Sequence, residues 1–445
     1  MGVEIIPLGG YEEVGKNSTA VKVDEDVFIL DMGIDLSKLL MLPKGIDWNK
    51  LPKKELILQG VIPDDSVLTK YKHKVKAIIP SHAHLDHVGA IAHMANDYPS
   101  AKIIGTPYTT AVLKKIMKSE GTKVRNPIID LKPNSKVQLT PDVELELINA
   151  THSTPHTAII VLHTPYGSVI YANDWKFDAT PALGERTNMA RLKKIGNSGD
   201  VLALISCCLN VDLMGRTYSE SVVTEMLKDV LLEVDNKDNG VIVSTFSSNI
   251  GRIRTITDIA KKMGRKTLIF GSSMQKYIGA AEEIGLVNLS KANPIKTRAT
   301  EVKSQMQMVN QHKNAYLLIM TGHQGEPGSV LERISRKELP LKIGKGDQVV
   351  FSSRTIPAPV NIANKTEMVS KLKRNKARIF DNVHVSGHGS KEEQRDLINL
   401  LQPKNFIPCH GSVNMLADAI LLAHEMGYKL GKESHILTNG QRFGL

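Results

Sequence analysis

The chain has 445 residues, with 57 Lys and Arg against 46 Asp and Glu, for a formal net charge of +11. That length exceeds what one hydrophobic core usually organises, so two domains are expected. Three cysteines, two of them adjacent, exclude a disulfide framework. No apolar run approaches the roughly 20 residues of a membrane span, and the start, MGVEIIPLGG, lacks the features of a signal peptide. These features predict a reduced, cytoplasmic protein with no membrane partner. The positive charge suits a polyanionic partner, nucleic acid above all. Aromatics make up only 4% of the chain, too few for a base-stacking platform that reads sequence.

In chain order, residues 20–33 read as a hairpin. Residues 75–80 (VKAIIP) are β-branched and apolar and read as a buried strand that ends at Pro80, which cannot donate to a ladder. SHAHLDHVGA follows, and a helix is expected from Val88, placing the histidines and Asp86 on a strand-to-helix loop. Residues 102–119 read as a strand and a helix, 143–153 and 157–175 as strands, and 185–200 as a polar, basic stretch before apolar VLALIS. From about 206 to 370 helix-like and strand-like segments alternate regularly, which predicts a doubly wound parallel sheet. The remainder carries histidines at strand ends again and is expected to rejoin the first domain.

The chemistry concentrates at those strand ends. His82 and His84 lie two apart, so an extended backbone points them the same way; Asp86 and His87 follow at the turn. That pattern suits two ligand sets for neighbouring ions, and neutral imidazole and carboxylate are normal zinc ligands. His152, Asp174 and His410 each end a further apolar strand. Any one of them alone is weak evidence, because a lone histidine is more often structural. Jointly they point to a metal centre.

These residues resemble the metallo-β-lactamase superfamily. Within it, the chain is similar to the β-CASP ribonucleases, most closely the archaeal RNase J type. The resemblance rests on HAHLDH together with LGGYEEVGKN, VIPDDSVL, STFSSNIGRI, GSSMQKYI, TGHQGEPGSVLERI, SSRTIPAPV and HVSGHGS. It implies an α/β fold: a metallo-β-lactamase αββα sandwich over residues 1–205 and 371–445, with a β-CASP parallel α/β domain inserted at 206–370. It also implies roles by position. His82, His84 and His152 match the ligands of one zinc, and Asp86, His87 and His410 those of a second. Asp174 matches the bridging carboxylate, and Asp31 the aspartate that supports the loop. His388 matches the histidine beside the scissile phosphate, with Ser386, Gly387, Gly389 and Ser390 around it. Ser247 and Asn249 are expected to touch RNA, with capping of the following helix as the structural alternative.

Four positions depart from the family pattern. Ala83 and Asn173 stand where glycine is usual, which matters only if the backbone there needs positive φ. Cys207 stands where an acidic residue is expected, and a thiol accepts hydrogen bonds poorly. Ser272 replaces an arginine that many bacterial relatives place near a 5′ phosphate; Lys276 or Arg354 could compensate. The implied activity is hydrolysis of single-stranded RNA by a 5′→3′ exoribonuclease with two Zn2+ per chain, Mn2+ or Mg2+ serving in assays. Asp86, Asp174 and His388 would carry the catalysis. The rival readings are a β-CASP endoribonuclease and a catalytically weakened RNA-binding paralogue. The sequence leaves a homodimer open.

Overall fold

The computed structural model describes residues 2–43 and 45–445. The chain divides into two units: Met1–Ala179, Gly184–Thr217 and Gly387–Leu445 in the first, Thr180–Leu183 and Tyr218–Ser386 in the second.

The first unit holds two sheets. Strands β1 (Val3–Gly9), β2 (Ser18–Val23), β3 (Asp26–Leu30), β4 (Val75–Ile79), β5 (Lys102–Gly105) and β6 (Ile128–Asp130) lie side by side in that order, with Phe443–Gly444 outside β1. Pairing is antiparallel from β1 to β3, including the expected hairpin, and parallel from β3 to β6. Strands β7 (Ser135–Thr140), β8 (Val143–Asn149), β9 (Ala158–Thr164), β10 (Gly167–Ala172) and β11 (Val201–Cys207) form the second sheet. The late strand Asn405–Cys409 closes it, parallel to β11.

Period-two alternation explains how the second sheet is buried on both faces. Leu145, Leu147, Ile160, Leu162 and Tyr171 face the first sheet and meet Ile5, Val21, Phe28 and Ile79. Their neighbours Ile148, Ile159, Val161 and Ile170 pack with Leu192, Leu397 and Leu416, which belong to helices Met189–Gly196, Lys391–Leu401 and Val413–Glu425. Each such aliphatic side chain contributes about 1.5–3 kcal/mol on burial. Helix Pro107–Glu120 packs on β5 and β6. The order helix, sheet, sheet, helix is the expected sandwich.

The helix expected from Val88 is broken. Leu85–Val88 and Ile91–Met94 are separate single turns, because the Ala90 N–H leaves the helical ladder and donates to the Met32 carbonyl at 2.9 Å. Asp86 and His87 therefore sit on a helical turn rather than on the loop expected for them.

The second unit is one six-stranded parallel sheet of β12 (Val241–Thr245), β13 (Lys266–Phe270), β14 (Ile295–Lys296), β15 (Tyr316–Met320), β16 (Gln348–Ser352) and β17 (Arg378–Phe380), ordered β14-β13-β15-β12-β16-β17. One face packs Phe270, Met306, Met320 and Phe351. Helix Ile250–Lys262, with Ile253 and Ile256 buried, contacts β12 and β13. β17 pairs with β16, so this sheet continues past residue 370. Among the described residues, no helix is long and apolar enough to cross a membrane.

Candidate metal centre

The first unit gathers its strand ends. Asp31 follows β3, His82 and His84 follow β4, His152 follows β8, and Asp174 follows β10. His410 follows Asn405–Cys409. Two groups of ligand atoms result: His82, His84, His152 and Asp174, and Asp86, His87, His410 and Asp174; within each group the atoms lie within 4.8 Å of one another.

The spacing tests whether an ion fits. Four ligands at about 2.0–2.1 Å from one ion stand roughly 3.3–3.4 Å apart. In the first group His84 Nδ1 is 3.0 Å from His82 Nε2 and 3.2 Å from His152 Nε2. Asp174 Oδ2 is 3.4 and 3.5 Å from the same two Nε2 atoms. In the second group His87 Nε2 is 3.3 Å from Asp174 Oδ2 and 3.5 Å from Asp86 Oδ2. His410 Nε2 is 3.4 Å from Asp174 Oδ1 and 3.7 Å from Asp86 Oδ2. Asp174 Oδ1 is buried and accepts no hydrogen bond among the described residues. Such an orphan is costly unless a cation meets it.

Burial lowers His82, His152 and His410, and brings His84 down to about 4. Each presents the neutral lone pair that a metal needs. Burial also pulls His87 down, but the charges of Asp31, Asp86 and Asp174 outweigh it and raise the group. Burial opposes ionisation of Asp174, yet the surrounding His388, His87 and His410 hold it well below the usual carboxylate range.

A second layer aims these ligands. Asp31, fully buried, accepts from Ser81 N–H at 2.6 Å and from His87 Nδ1 at 2.7 Å, which turns His87 Nε2 to the site. The Gly387 carbonyl does the same for His152 through Nδ1 at 2.7 Å. A Cβ at Gly387 would lie 2.8 Å from the His152 ring, and one at Gly33 only 1.6 Å from the Asp86 carbonyl oxygen, so both positions demand glycine. Asp31, Asp174 and His410 have φ of 59°, 47° and 55°. The left-handed conformation thus falls on Asp174 and not on Asn173, and Ala83 is not among the described positive-φ residues. Neither departure therefore asks a side chain to adopt a glycine conformation.

Three residues outside the expected set hold the site. Asn17 donates to the Asp86 carbonyl and lies 3.2 Å from His87 Nε2. Ser81 links Asp31 to the His82 ring. Glu393, 1% exposed, accepts N–H groups from Phe177, Thr217 and Ser390, tying the segment after Asp174 to the one after His388. Asn17 lies within LGGYEEVGKN, but its partners are distant in sequence. Glu393 stands three residues after Ser390, a capping-box spacing that sequence shows, but its bonds to Phe177 and Thr217 cross separations that no local pattern reveals.

His388 Nδ1 stands 3.5 Å from Asp174 Oδ1 and 3.7 Å from Cys207 Sγ. Its carbonyl accepts from Thr217 Oγ1 at 2.6 Å. Gly389 N–H donates to the Trp175 carbonyl. Two residues expected at RNA cap helices. Ser390 forms a capping box with Glu393 on helix Lys391–Leu401, and Asn249 caps Ile250–Lys262 by accepting from Arg252 N–H. In the second unit Ser247 Oγ meets Ser273 Oγ at 2.8 Å. Ser272 and Arg354 are exposed, and Lys276 and Ser386 half-buried.

Fold and site together define a hydrolase of the metallo-β-lactamase class. Residues 11–205 match the Metallo-beta-lactamase superfamily, 238–372 the beta-CASP domain of Ribonuclease J, and 374–436 the Zn-dependent metallo-hydrolase RNA specificity domain. The chain is 46% identical to Ribonuclease J of Methanocaldococcus jannaschii, covering 99% of this chain and 98% of that one. It is 42% identical to Ribonuclease J of Pyrococcus abyssi, over 98% and 96% of the two chains. With Ribonuclease J2 of Bacillus subtilis identity is 34%, over 96% of this chain and 72% of the relative. This chain belongs to the ribonuclease J family. A crystal structure of a protein of unknown function from Enterococcus faecalis V583 shares the fold, with a TM-score of 0.66 at 15% identity over the whole of both chains.

Proposed function

We propose that the chain is a metal-dependent ribonuclease that degrades or matures single-stranded RNA from the 5′ end, one phosphodiester at a time. The observation that carries this reading is the carboxylate of Asp174, shared by two ligand groups whose spacing matches the edges of metal tetrahedra. Zinc suits the imidazole and carboxylate donors, and manganese or magnesium is expected to support assays. His82, His84 and His152 would hold one ion, Asp86, His87 and His410 the other, and Asp174 both. Bound ions of this kind supply a water ionised near neutral pH and stabilise charge on a phosphate.

The protein's own part is orientation. Asp86 and Asp174 present carboxylate oxygens that accept hydrogen bonds from the attacking water. His388 would donate to a phosphate oxygen or to the leaving oxygen. Ser247, Ser272, Lys276, Arg354 and Ser386 would grip the RNA backbone, a mode that reads little sequence. A cytoplasmic location and a homodimer are part of the same reading.

The test is a time course on 5′-labelled single-stranded RNA carrying a 5′ monophosphate. Labelled mononucleotide from the first time points is the expected result. Discrete long fragments would make the protein an endonuclease. RNA binding without cleavage under zinc or manganese would leave a weakened paralogue and overturn the proposal.

A further inference from the structure

Asp174 also belongs to a third convergence of donors, with Cys207 and His388. Cys207 ends β11 beside Cys409, its partner on the neighbouring strand. Cys208 and Cys409 pack in the cores on the two faces of the second sheet, whereas the Cys207 sulfur meets His388 Nδ1 at 3.7 Å. His388 Nδ1 in turn lies 3.5 Å from Asp174 Oδ1, the buried oxygen that accepts no hydrogen bond among the described residues. For one ion at about 2.3 Å from sulfur and 2.0–2.1 Å from nitrogen and oxygen, a tetrahedron sets the S–N edge at roughly 3.5 Å and the N–O edge at roughly 3.3 Å. Both observed separations lie close to these edges.

We propose that Cys207, His388 and Asp174 form a third, adjoining binding site for a thiophilic divalent cation, of the cadmium or excess-zinc class, whose occupancy removes His388 from the reaction. Binding forms a metal–sulfur bond and releases the thiol proton to solvent. The site is weaker than the two ligand groups beside it, because its ion shares Asp174 with theirs and is repelled by their charge. The thiolate charge offsets part of that repulsion, and its softness selects which ions enter. His388 has 22% of its side chain exposed and forms the open side of the site. Cation binding here does not depend on the substrate assignment; only its inhibitory effect does.

The test is a cadmium titration of the zinc-loaded protein, read by ultraviolet thiolate-to-cadmium charge-transfer absorption, which imidazole and carboxylate sites cannot produce. One saturating equivalent is expected in the wild type and in Cys208→Ser and Cys409→Ser, and none in Cys207→Ser. His388→Ala should weaken cadmium binding at least about tenfold while leaving the sulfur in place. In RNA cleavage, cadmium should inhibit the wild type and spare Cys207→Ser. No band in the wild type, a band that survives Cys207→Ser, or unchanged affinity in His388→Ala would each overturn the site. If RNA is not cleaved at all, the absorption still decides the cation site, and only the ribonuclease reading fails.

Discussion

Both units deliver loops from the carboxyl ends of strands, yet they furnish those loops differently. In the first unit the strand ends carry buried His and Asp whose lone pairs converge, and three of these functional residues, Asp31, Asp174 and His410, adopt left-handed φ. In the second unit the left-handed positions after β13 and β15 are glycines, Gly271 and Gly322, and the neighbouring side chains are hydroxyls, caps and an exposed arginine. Left-handed backbone costs a non-glycine residue of order 1–3 kcal/mol. A strand end can avoid that cost with glycine only where no side chain is needed at that point. A metal centre in the first unit would need a ligand or an aiming carboxylate there, and the left-handed backbone is held by hydrogen bonds such as those on Asp31. The second can present backbone and hydroxyl donors, the chemistry suited to a polyanion.

The largest expected effect breaks the first half of this comparison. Asp174→Asn should lose both metals by elemental analysis and lower RNA hydrolysis by about a thousandfold or more; full activity without metal would refute the shared-carboxylate site. Asp31→Asn removes one acceptor without touching a ligand atom, and should weaken metal affinity roughly 10–100-fold in a chelator competition. Acid should act on the metal-free protein more gently. Burial brings His84 to about 4, against 6.5 for an ordinary imidazole. Between those values the folded chain binds fewer protons than the unfolded one. Stability is therefore complete above about pH 6.5 and declines as pH falls toward 4, as urea unfolding at stepped pH would reveal. The smallest effects sharpen the second half. Asn249→Ala should cost about 1 kcal/mol of stability as a lost cap and leave RNA affinity alone. Arg354→Gln should leave stability alone and lower the log–log salt slope of RNA binding by about 0.7. The reverse pattern would return Asn249 to the RNA surface.

Much of the candidate metal centre was legible because its residues follow apolar strands, where histidine and aspartate have few structural reasons to be. His82, His84, Asp86, His87, His152, Asp174 and His410 all enter the two groups. The parallel sheet of the second unit was legible from its alternation, but β14, two residues long, carries no readable period. For Asn249 and Ser390 the structure shows the cap, a role that serine and asparagine at a turn suit as well as an RNA contact, and only the partner atom distinguishes the two.

By itself the sequence determined the chemistry available: which donors exist, that they sit at strand ends, and that the core between them is apolar and periodic. Tertiary structure decided where those donors point. Ala90 breaks its helix because Met32 offers a carbonyl, Asp31 turns His87 across a gap of 56 residues, and Glu393 gathers N–H groups from Phe177 and Thr217 in two distant segments. Hydrogen bonds of that range depend on the packing of whole sheets, which no local window of sequence contains.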